Sequence, residues 1–494
     1  MKILRILSLV LLFVFFASFL IHPLYSINQD IGRHLKSGEI IWQTKSVYKT
    51  NLFSFTEPEH SFINHHWLSE VSFYGLNNVI GLKGLILFKT VILLLSLWLL
   101  FLAVKNKADL WIFLISAMAG IMIWTERTDV RPEIFSYLFL SFFIFAILRA
   151  KYQGQARWLY FLPIVQIFWT NMHIYFALGP ILLTFFLLEK MLNPKHEILN
   201  PKQYQNSNKE SFGFWIWDLF RNSRLEFRIW LLVILATLIN PNFISGALYP
   251  LVVLKNYGYS IVENQNIFFL TDYGILIRNI QLFQLSLAVL ILSFIFRKRI
   301  AIFELLSGIF FSIMAMKMLR NFGPYGLVFI PLTTLNLFGI KLSTKKEMAV
   351  LISVCVILIS TTSYNIKNKV SLAIPTGAEK AVEFVRNNNI KGPVFNNFDV
   401  GSFLIWKMYP DQKVFVDGRP EAYSQEFFEN IYKPMQMDQK IWEKYSKEYG
   451  INHVFFDHRD ITPWARTFLA RISQDKKWER VYLDEYAVIF IKNF

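Results

Sequence analysis

The chain of 494 residues is long enough for several domains, but its composition excludes an ordinary soluble protein. Hydrophobic residues make up 54% and charged residues 17%, against roughly 25% charged in typical soluble domains. The single cysteine, Cys355, excludes a disulfide framework within one chain. The net charge of +16 does not indicate nucleic-acid binding, because much of the basic excess lies in short loops between apolar segments, as in membrane proteins.

The apolar segments predict a polytopic α-helical membrane protein with about eleven transmembrane helices, since a spanning helix needs about 20 mainly apolar residues. The first segment is longer than the apolar part of a typical signal peptide and no small-residue cleavage site follows it, so we expect a retained anchor. The short segments on either side of Asn171 could instead form one re-entrant unit. In chain order the segments are Leu4–Ile21, Leu85–Val104, Leu110–Trp124, Ile134–Leu148, Trp158–Thr170, Ile174–Leu188, Ile229–Ser245, Leu282–Phe296, Ala301–Met316, Phe322–Phe338 and Ala349–Ser363.

The distribution of basic residues predicts the orientation. With the N-terminus in the cytoplasm, every loop on that side is rich in lysine or arginine, as the positive-inside rule requires. These residues are Lys105, Lys107, Arg149, Lys151, Arg157, Lys190, Lys195, Lys202, Lys209, Arg221, Arg224, Arg228, Arg297, Lys298, Arg299, Lys341, Lys345 and Lys346. The same alternation puts the chain after about Tyr364 outside the cytoplasm, and the expected location is a bacterial inner membrane.

The pattern predicts two domains: a membrane domain over residues 1–369, with a long first outer loop over residues 22–84, and a soluble extracytoplasmic α/β domain over residues 370–494. In the tail, alternating strands and helices favour a mainly parallel sheet, and no glycine-rich phosphate loop indicates a nucleotide site. The predicted strands are Val394–Asn396, Val414–Val416, Val454–Phe456 and Ala487–Ile491, and the predicted helices are Ala378–Asn387, Glu426–Lys433, Gln439–Glu448 and Trp464–Ser473.

The first outer loop carries the candidate catalytic residue. Asp30 follows the first apolar segment, and a carboxylate at the mouth of a membrane cavity can act as a general base, worth roughly 10²–10⁴ in rate. The alternative is that Asp30 caps a juxtamembrane helix. His66 and Glu70 are four residues apart and share a helix face, so with His65 they could hold a divalent metal. The pattern is not HExxH, however, and a hydrogen-bonded cluster or a substrate contact is the stronger expectation.

Candidate anion-binding residues lie in two other outer loops. The second loop alternates in sign through Glu126, Arg127, Asp129, Arg131 and Glu133. These charges could satisfy one another, or the arginines could contact an anionic headgroup, because a guanidinium makes bidentate contacts with phosphate. The predicted phosphate-binding residues are Arg127, Arg131, Lys317 and Arg320, and the predicted substrate contacts are His34, His65, His66, Glu70, Asp129 and His173.

Together these features resemble the GT-C superfamily of integral-membrane glycosyltransferases, which includes protein O-mannosyltransferases, aminoarabinose transferases of lipid A and the catalytic subunits of oligosaccharyltransferases. The resemblance rests on Asp30 after the first helix, on His65-His66-Trp67-Leu68 at the end of the first outer loop, and on the outward soluble domain. Residues 30–39 are similar to a D-x-x-x-H-L-x-x-G-E stretch of uncharacterised bacterial members. Residues 413–421 are similar to a second stretch of the same members, and the simplest interpretation of these residues is an Asp-Gly turn after a strand. Asn397-Phe398-Asp399-Val400-Gly401 is similar in frame to the WWDYG motif of oligosaccharyltransferases, without its two tryptophans and its tyrosine.

The resemblance implies transfer of a sugar from a polyprenyl-phosphate carrier to a lipid, glycan or protein acceptor on the extracytoplasmic face. Asp30 would accept the proton of the acceptor hydroxyl, and Arg127, Arg131 or Arg320 would offset the charge of the leaving phosphate. Some members use a divalent metal and others do not, so the resemblance leaves open whether this protein needs a metal. The alternatives are a transporter or flippase for a lipid-linked glycan and a non-catalytic assembly protein. The enzyme hypothesis predicts that Asp30, Arg127 and Arg320 line one cavity.

Overall fold

The computed structural model describes residues 1–25, 30–192, 224–253, 257–297, 301–375 and 377–493. Seven helical segments in these ranges are long and apolar enough to cross a membrane, and shorter helices lie between them. The helices before the C-terminal region are α1 (Lys2–Leu20), α2 (Ile31–Thr44), α3 (Trp67–Val104), α4 (Leu110–Trp124), α5 (Glu133–Gln153), α6 (Leu162–Met172), α7 (Leu178–Leu192), α8 (Arg224–Ala236), α9 (Phe243–Val252), α10 (Ile267–Asp272), α11 (Ile277–Ile295), α12 (Ile302–Lys317), α13 (Phe322–Asn336) and α14 (Thr344–Asn368).

Each predicted apolar segment coincides with helical structure, but one of them is not a continuous helix. The segment Ile229–Ser245 contains two helices, α8 and the start of α9, because the chain turns at Asn240-Pro241-Asn242. Proline has no backbone N–H and favours an extended residue before it, so a helix ends readily at this point. The Asn240 side chain donates to the carbonyls of Thr237 and Phe243, at 2.8 and 2.9 Å, and so holds the turn.

Helix α3 begins inside the region predicted as the first outer loop. It starts at Trp67, well before the predicted apolar segment at Leu85. Gly81 interrupts it with φ 66° and ψ −179°, a backbone conformation that glycine adopts without the steric cost of a side chain. The part before Gly81 packs against α2, and the part after it contains the predicted membrane span.

The C-terminal region forms a small mixed sheet with helices around it. The strands are β1 (Val394–Asn396), β2 (His453–Asp457), β3 (Trp478–Leu483) and β4 (Ala487–Lys492), in the order β1-β2-β4-β3. The helices are α15 (Glu379–Asn387), α16 (Gly401–Met408), α17 (Lys433–Met437), α18 (Gln439–Glu448) and α19 (Pro463–Ile472), with a π-helical turn at Phe427–Tyr432.

The expectation of a mainly parallel sheet is wrong. Only β1 and β2 are parallel, whereas β4 is antiparallel to both β2 and β3. The missed strand, β3, forms a hairpin with β4, and Asp484 stabilises the connection by accepting from the N–H groups of Tyr486 and Ala487. The predicted strand Val414–Val416 is also wrong, since Val414 makes only an isolated parallel bridge, and its partner Ser54 belongs to the first outer loop.

The first outer loop packs into the core of the C-terminal region. Phe53 and Phe62 are buried among its apolar side chains. The Asn51 side chain donates to the Ala422 carbonyl at 2.9 Å, and Glu57 accepts from the Ser424 hydroxyl at 2.7 Å. The C-terminal region is therefore held against the end of the helical domain at which Asp30 and the other outer-loop residues lie.

Candidate functional site

A polar pocket lies where the outer loops meet the C-terminal region. It contains about 790 Å³ of atom-free space, part of which is open to solvent. Charged and aromatic side chains from seven separate parts of the chain surround it. The lining residues are Asp30, Arg33, His34, His65, His66, Arg127, Arg131, Pro132, Glu133, His173, Ile174, Val253, Tyr257, Ile261, Glu263, Asn264, Arg320, Gly418, Pro420 and Glu421.

The expectation that Asp30, Arg127 and Arg320 line one cavity is confirmed. Asp30 directly precedes α2, but its side chain makes no capping hydrogen bond to that helix, so the capping alternative does not account for it. The Ser402 hydroxyl donates to Asp30 Oδ1 at 3.3 Å. A Cβ at Gly418 would lie 2.8 Å from the same oxygen, so glycine permits the chain to approach the carboxylate closely.

Two arginines keep Asp30 ionised. Arg33 Nη2 lies 3.9 Å from Asp30 Oδ1, and Arg131 Nη2 lies 3.9 Å from Asp30 Oδ2. Burial raises the pKa of the Asp30 carboxyl, but Arg131 and Arg33 outweigh it, and the pKa is held below its usual range. Asp30 is therefore a carboxylate at neutral pH, the form required to accept a proton.

Glu263 joins two of the predicted phosphate-binding residues. Its carboxylate accepts a short hydrogen bond from Arg127 and a second from Arg131 Nη1 at 3.0 Å. Arg127 Nη2 also donates to Glu133 at 3.0 Å. The charges of the second outer loop are thus only partly satisfied within that loop, because Glu263 comes from a segment more than 130 residues later. Burial opposes ionisation of Glu263, but Arg127 and Arg131 hold its pKa well below the usual range.

Arg320 has the least compensated charge of the three pocket arginines on these loops. It lies in a short 3₁₀ turn, Leu319–Asn321, and Nη1 donates to the Asn264 amide oxygen at 3.1 Å. Among the described residues, no carboxylate lies within 4.0 Å of its guanidinium. Its Nε is buried without a hydrogen-bond partner in the same part of the chain. An arginine with spare donors in a partly enclosed pocket is suited to bind an anion.

Four histidines form one wall of the pocket. The ring centroids of His65 and His66 are 3.8 Å apart, and His66 lies 5.5 Å from His173 and 5.7 Å from His34. Burial lowers the pKa of His65 to about 4 and that of His66 well below its usual value. These imidazoles are therefore neutral at physiological pH and offer hydrogen-bonding groups and ring faces without charge.

Glu70 lies behind this wall as a fully buried acceptor. Its Oε1 accepts from His34 Nδ1 at 3.0 Å and from Arg33 Nη1 at 3.3 Å, and its Oε2 accepts from the Asn64 amide at 2.7 Å. Glu70 does not line the pocket. Its geometry is that of a positioning residue, which fixes the orientation of two side chains that do line it.

The described side chains do not fit a divalent metal. No three histidine, cysteine, aspartate or glutamate side chains in the described ranges converge on a metal-sized site. The carboxylates of Asp30 and Glu263 face arginines, which compete with any cation for their oxygens.

Besides Glu70, two predicted site residues lie outside the pocket. Lys317 is exposed at the end of α12, although Arg320 is only three residues away. Asp129 lies beside His22, with 3.9 Å between its Oδ1 and the imidazole Nε2. Neither lines the space that Asp30 faces.

Several pocket residues were not selected from the sequence. Glu263 and Asn264 belong to a short 3₁₀ turn, Val262–Asn264, in a loop without a recognisable motif. For Arg33, the only indication in the sequence was that it follows Asp30 at helical spacing. Glu421 ends the stretch of residues 413–421, for which the sequence indicated only a turn.

Comparison with known proteins gives structural matches only. No family model matches the sequence, and no curated protein matches it either. The archaeal oligosaccharyltransferase AglB from Archaeoglobus fulgidus, solved with an inhibitory peptide and a dolichol-phosphate, superposes with a TM-score of 0.61 at 11% identity over 95% of this chain and 72% of that one. An Archaeoglobus fulgidus oligosaccharyltransferase with zinc and sulfate superposes with a TM-score of 0.59 at 11% identity, over 95% of this chain and 70% of that one. A mutant of the mycobacterial arabinofuranosyltransferase AftD superposes with a TM-score of 0.51 at 10% identity, over 99% of this chain and 41% of that one.

The chain is an integral membrane protein that shares its fold with these solved structures, which belong to the GT-C superfamily of membrane glycosyltransferases. The resemblance to GT-C glycosyltransferases is thereby confirmed for the fold, with a polytopic helical domain followed by a small C-terminal α/β domain. Fold likeness at 11% identity does not establish an activity.

Proposed function

We propose that this protein is a membrane glycosyltransferase that moves a sugar from a polyprenyl-phosphate carrier to an acceptor hydroxyl on the extracytoplasmic face. One observation carries the proposal: an ionised carboxylate, Asp30, and an arginine with unused donors, Arg320, line the same pocket at one end of a GT-C fold. These two groups supply what the reaction needs, a proton acceptor and a site for the leaving phosphate.

In the proposed reaction, Asp30 accepts the proton of the acceptor hydroxyl as its oxygen attacks the anomeric carbon of the donor sugar. The attack comes from the face opposite the phosphate, and the bond between the anomeric carbon and the phosphate oxygen breaks. The products are the glycosylated acceptor, the polyprenyl phosphate and a proton on Asp30, which then passes to water. The carrier supplies the activated bond, so ATP is not needed.

Arg320 is the principal proposed phosphate-binding residue. The leaving phosphate gains negative charge as the bond breaks, and positive groups already oriented toward it stabilise the transition state. Arg127 and Arg131 contribute less, because Glu263 neutralises part of their charge. Their Nε groups are buried without partners among the residues described, so each retains some capacity for an anion.

The donor class is supported by a solved structure of the same fold. The archaeal oligosaccharyltransferase was solved with a dolichol-phosphate, which is a polyprenyl phosphate with a saturated terminal unit. The extracytoplasmic location is supported by the basic loops on the other side of the apolar segments. We propose no peptide acceptor, because the tail lacks the tryptophans and the tyrosine of the WWDYG motif.

The decisive test is transfer by the purified protein in detergent or nanodiscs with a panel of radiolabelled polyprenyl-phosphate sugars and a membrane extract as acceptor. We expect label to move from at least one donor to a new product. Glu426→Gln, an exposed change on the C-terminal domain, serves as the matched control and should leave transfer unchanged. If every donor stays intact but crosses the bilayer of proteoliposomes, the protein is the flippase of the alternative hypothesis.

A further inference from the structure

The stretch that ends at Glu421 has no role in the mechanism above, yet it forms part of the pocket wall. Gly418, Pro420 and Glu421 all line the pocket. Between them, Arg419 points away from the pocket and is almost completely buried. The stretch therefore has two faces, a buried anchor and a surface turned toward the site.

The anchor is a buried ion pair. Arg419 donates to Asp417 through Nε and Nη2, each at 2.7 Å, and Nη2 also donates to Asn51 at 2.9 Å. The rings of Phe53 and Phe62 lie 5.2 and 4.7 Å from the guanidinium carbon. Two N–H groups in a planar fork give a bidentate contact with a fixed geometry. The backbone between Asp417 and Glu421 is thus held at a defined position relative to the first outer loop.

This anchor places the Glu421 carboxylate near Arg33 and Tyr257. Arg33 and Tyr257 line the same pocket as Glu421. Burial raises the pKa of the Glu421 carboxyl, and the charge of Arg33 opposes that shift. Over the described ranges, however, no cationic nitrogen comes within 4.0 Å of the carboxylate, and no side chain donates a hydrogen bond to it. The backbone N–H of Glu421 is the donor that the described residues give it, so this half-buried carboxylate keeps acceptor positions available to a ligand in the pocket.

The other carboxylates of the site are occupied. Arg127 and Arg131 contact Glu263, and Arg33 and Arg131 approach Asp30. Glu421 is the pocket carboxylate that ion pairs leave open among the described residues. A carboxylate has two acceptor oxygens at a fixed separation, which suits a pair of hydroxyl groups on adjacent carbons of a sugar ring.

We propose that Glu421 is a sugar-binding residue, whose two oxygens accept hydrogen bonds from adjacent hydroxyl groups of a sugar ring held in the pocket. This inference rests on the proposed function, because it assigns the sugar to the same pocket. The hydroxyl pair belongs either to the donor sugar or to an acceptor glycan, and the experiment below separates the two. In both cases Glu421 selects sugars with two free adjacent hydroxyls.

The first measurement is binding, which needs no turnover. A panel of methyl glycosides, each with its analogues lacking one of two adjacent hydroxyls, is titrated into the purified full-length protein and followed by saturation-transfer NMR. We expect at least one glycoside to bind. Removal of one of its hydroxyls should weaken binding about tenfold, as should Glu421→Gln, since a hydrogen bond to a charged group is lost in both cases. Removal of the hydroxyl and Glu421→Gln together should weaken glycoside binding little more than either change alone.

Two controls separate sugar recognition from folding. Glu426→Gln, five residues along the chain and exposed, should bind every glycoside like the wild type. The thermal unfolding midpoint of Glu421→Gln should match that of the wild type within the error of the measurement. If Glu421→Gln weakens the complete and the deoxy glycosides equally, or if no glycoside binds the wild type, the inference is wrong.

The second measurement identifies the sugar's source. If the hydroxyl pair is the donor's, Glu421→Gln weakens binding of a polyprenyl-phosphate sugar about tenfold and leaves the sugar-free polyprenyl phosphate unchanged. If it is the acceptor's, both lipids bind as before and only the glycoside is affected. Failure of the proposed function gives a different result, because glycosides would bind in a Glu421-dependent way while no donor in the panel supports transfer.

Discussion

Arg131 connects Asp30 to Glu263: its Nη2 lies 3.9 Å from Asp30 Oδ2, and its Nη1 donates to Glu263 Oε2 at 3.0 Å. The guanidinium thus holds two carboxylates from distant parts of the chain at one edge of the pocket. It keeps Asp30 ionised without a direct hydrogen bond to it, so the Asp30 oxygens stay accessible to a substrate hydroxyl. This arrangement leaves Arg320 as the pocket arginine with the most unused capacity for an anion.

Arg320 and Lys317 form a matched pair for testing phosphate binding. Arg320→Ala should weaken binding of a polyprenyl phosphate by roughly tenfold to a hundredfold, because a charge-assisted hydrogen bond is lost. Lys317→Ala should change it by less than about twofold, since that side chain is exposed and outside the pocket. Both are measured by intrinsic tryptophan fluorescence on titration with the sugar-free lipid. Equal effects at the two positions would show that the charge acts through the membrane surface and not through the pocket.

The pH dependence of transfer should be flat around neutrality. The depressed pKa of Asp30 keeps it a carboxylate, and the base form is lost only as the pH falls through that low value. His65, with a pKa lowered to about 4, stays neutral over the same range. We therefore expect kcat/KM to vary little between roughly pH 5 and 8. An acidic limb centred near the usual histidine pKa would mean that an imidazole, and not Asp30, is the base.

Asp417→Asn should destabilise the C-terminal domain. Asp417 and Arg419 are 0 and 1% exposed, so removal of the carboxylate leaves a buried arginine without its counter-charge. Breaking such a pair costs about 3–5 kcal/mol, and the thermal unfolding midpoint should fall. Asp411→Asn, an exposed change in the same domain, is the control and should leave the midpoint where it is. A midpoint that stays unchanged for Asp417→Asn would show that the pair does not anchor the stretch up to Glu421.

The topology can be tested by cysteine accessibility in a Cys355→Ser background. Single cysteines at Lys107 and Ile461, both exposed, should react with a membrane-impermeant maleimide from opposite sides of the membrane. The positive-inside pattern puts Lys107 in the cytoplasm and Ile461 outside. Labelling of both from one side would remove the proposed extracytoplasmic reaction.

The apolar helices could be predicted because their signal is local. Each needs only a run of apolar residues, and the exception is Ile229–Ser245, where a proline in the run divides the segment between two helices. The sheet was harder, since β3 contains two adjacent charged residues, Glu479 and Arg480, and pairs with β4 through a hairpin that the spacing of the other strands did not indicate. Residue 414 was predicted as a strand from its apolar neighbours, but its partner, Ser54, is 360 positions away in the chain.

Residues of the candidate site could also be predicted where their signal is local and not where it depends on distant residues. Asp30, Arg127 and Arg320 could be selected because charges beside apolar segments are conspicuous. Lys317 met the same criterion and lies outside the pocket, since only three-dimensional packing decides which side of a short turn faces inward. Glu263 and Glu421 belong to no recognisable motif, and their significance comes from arginines and loops that are distant in the sequence.

The role of Asp30 as the catalytic base is tested by single-turnover transfer by Asp30→Asn with the donor that the wild type uses. We predict that transfer falls by roughly 10²–10⁴ while the affinity for the donor stays within about threefold, because the amide cannot accept the proton but occupies the same space. Asp411→Asn should transfer at the wild-type rate. Transfer by Asp30→Asn at the wild-type rate would contradict the account.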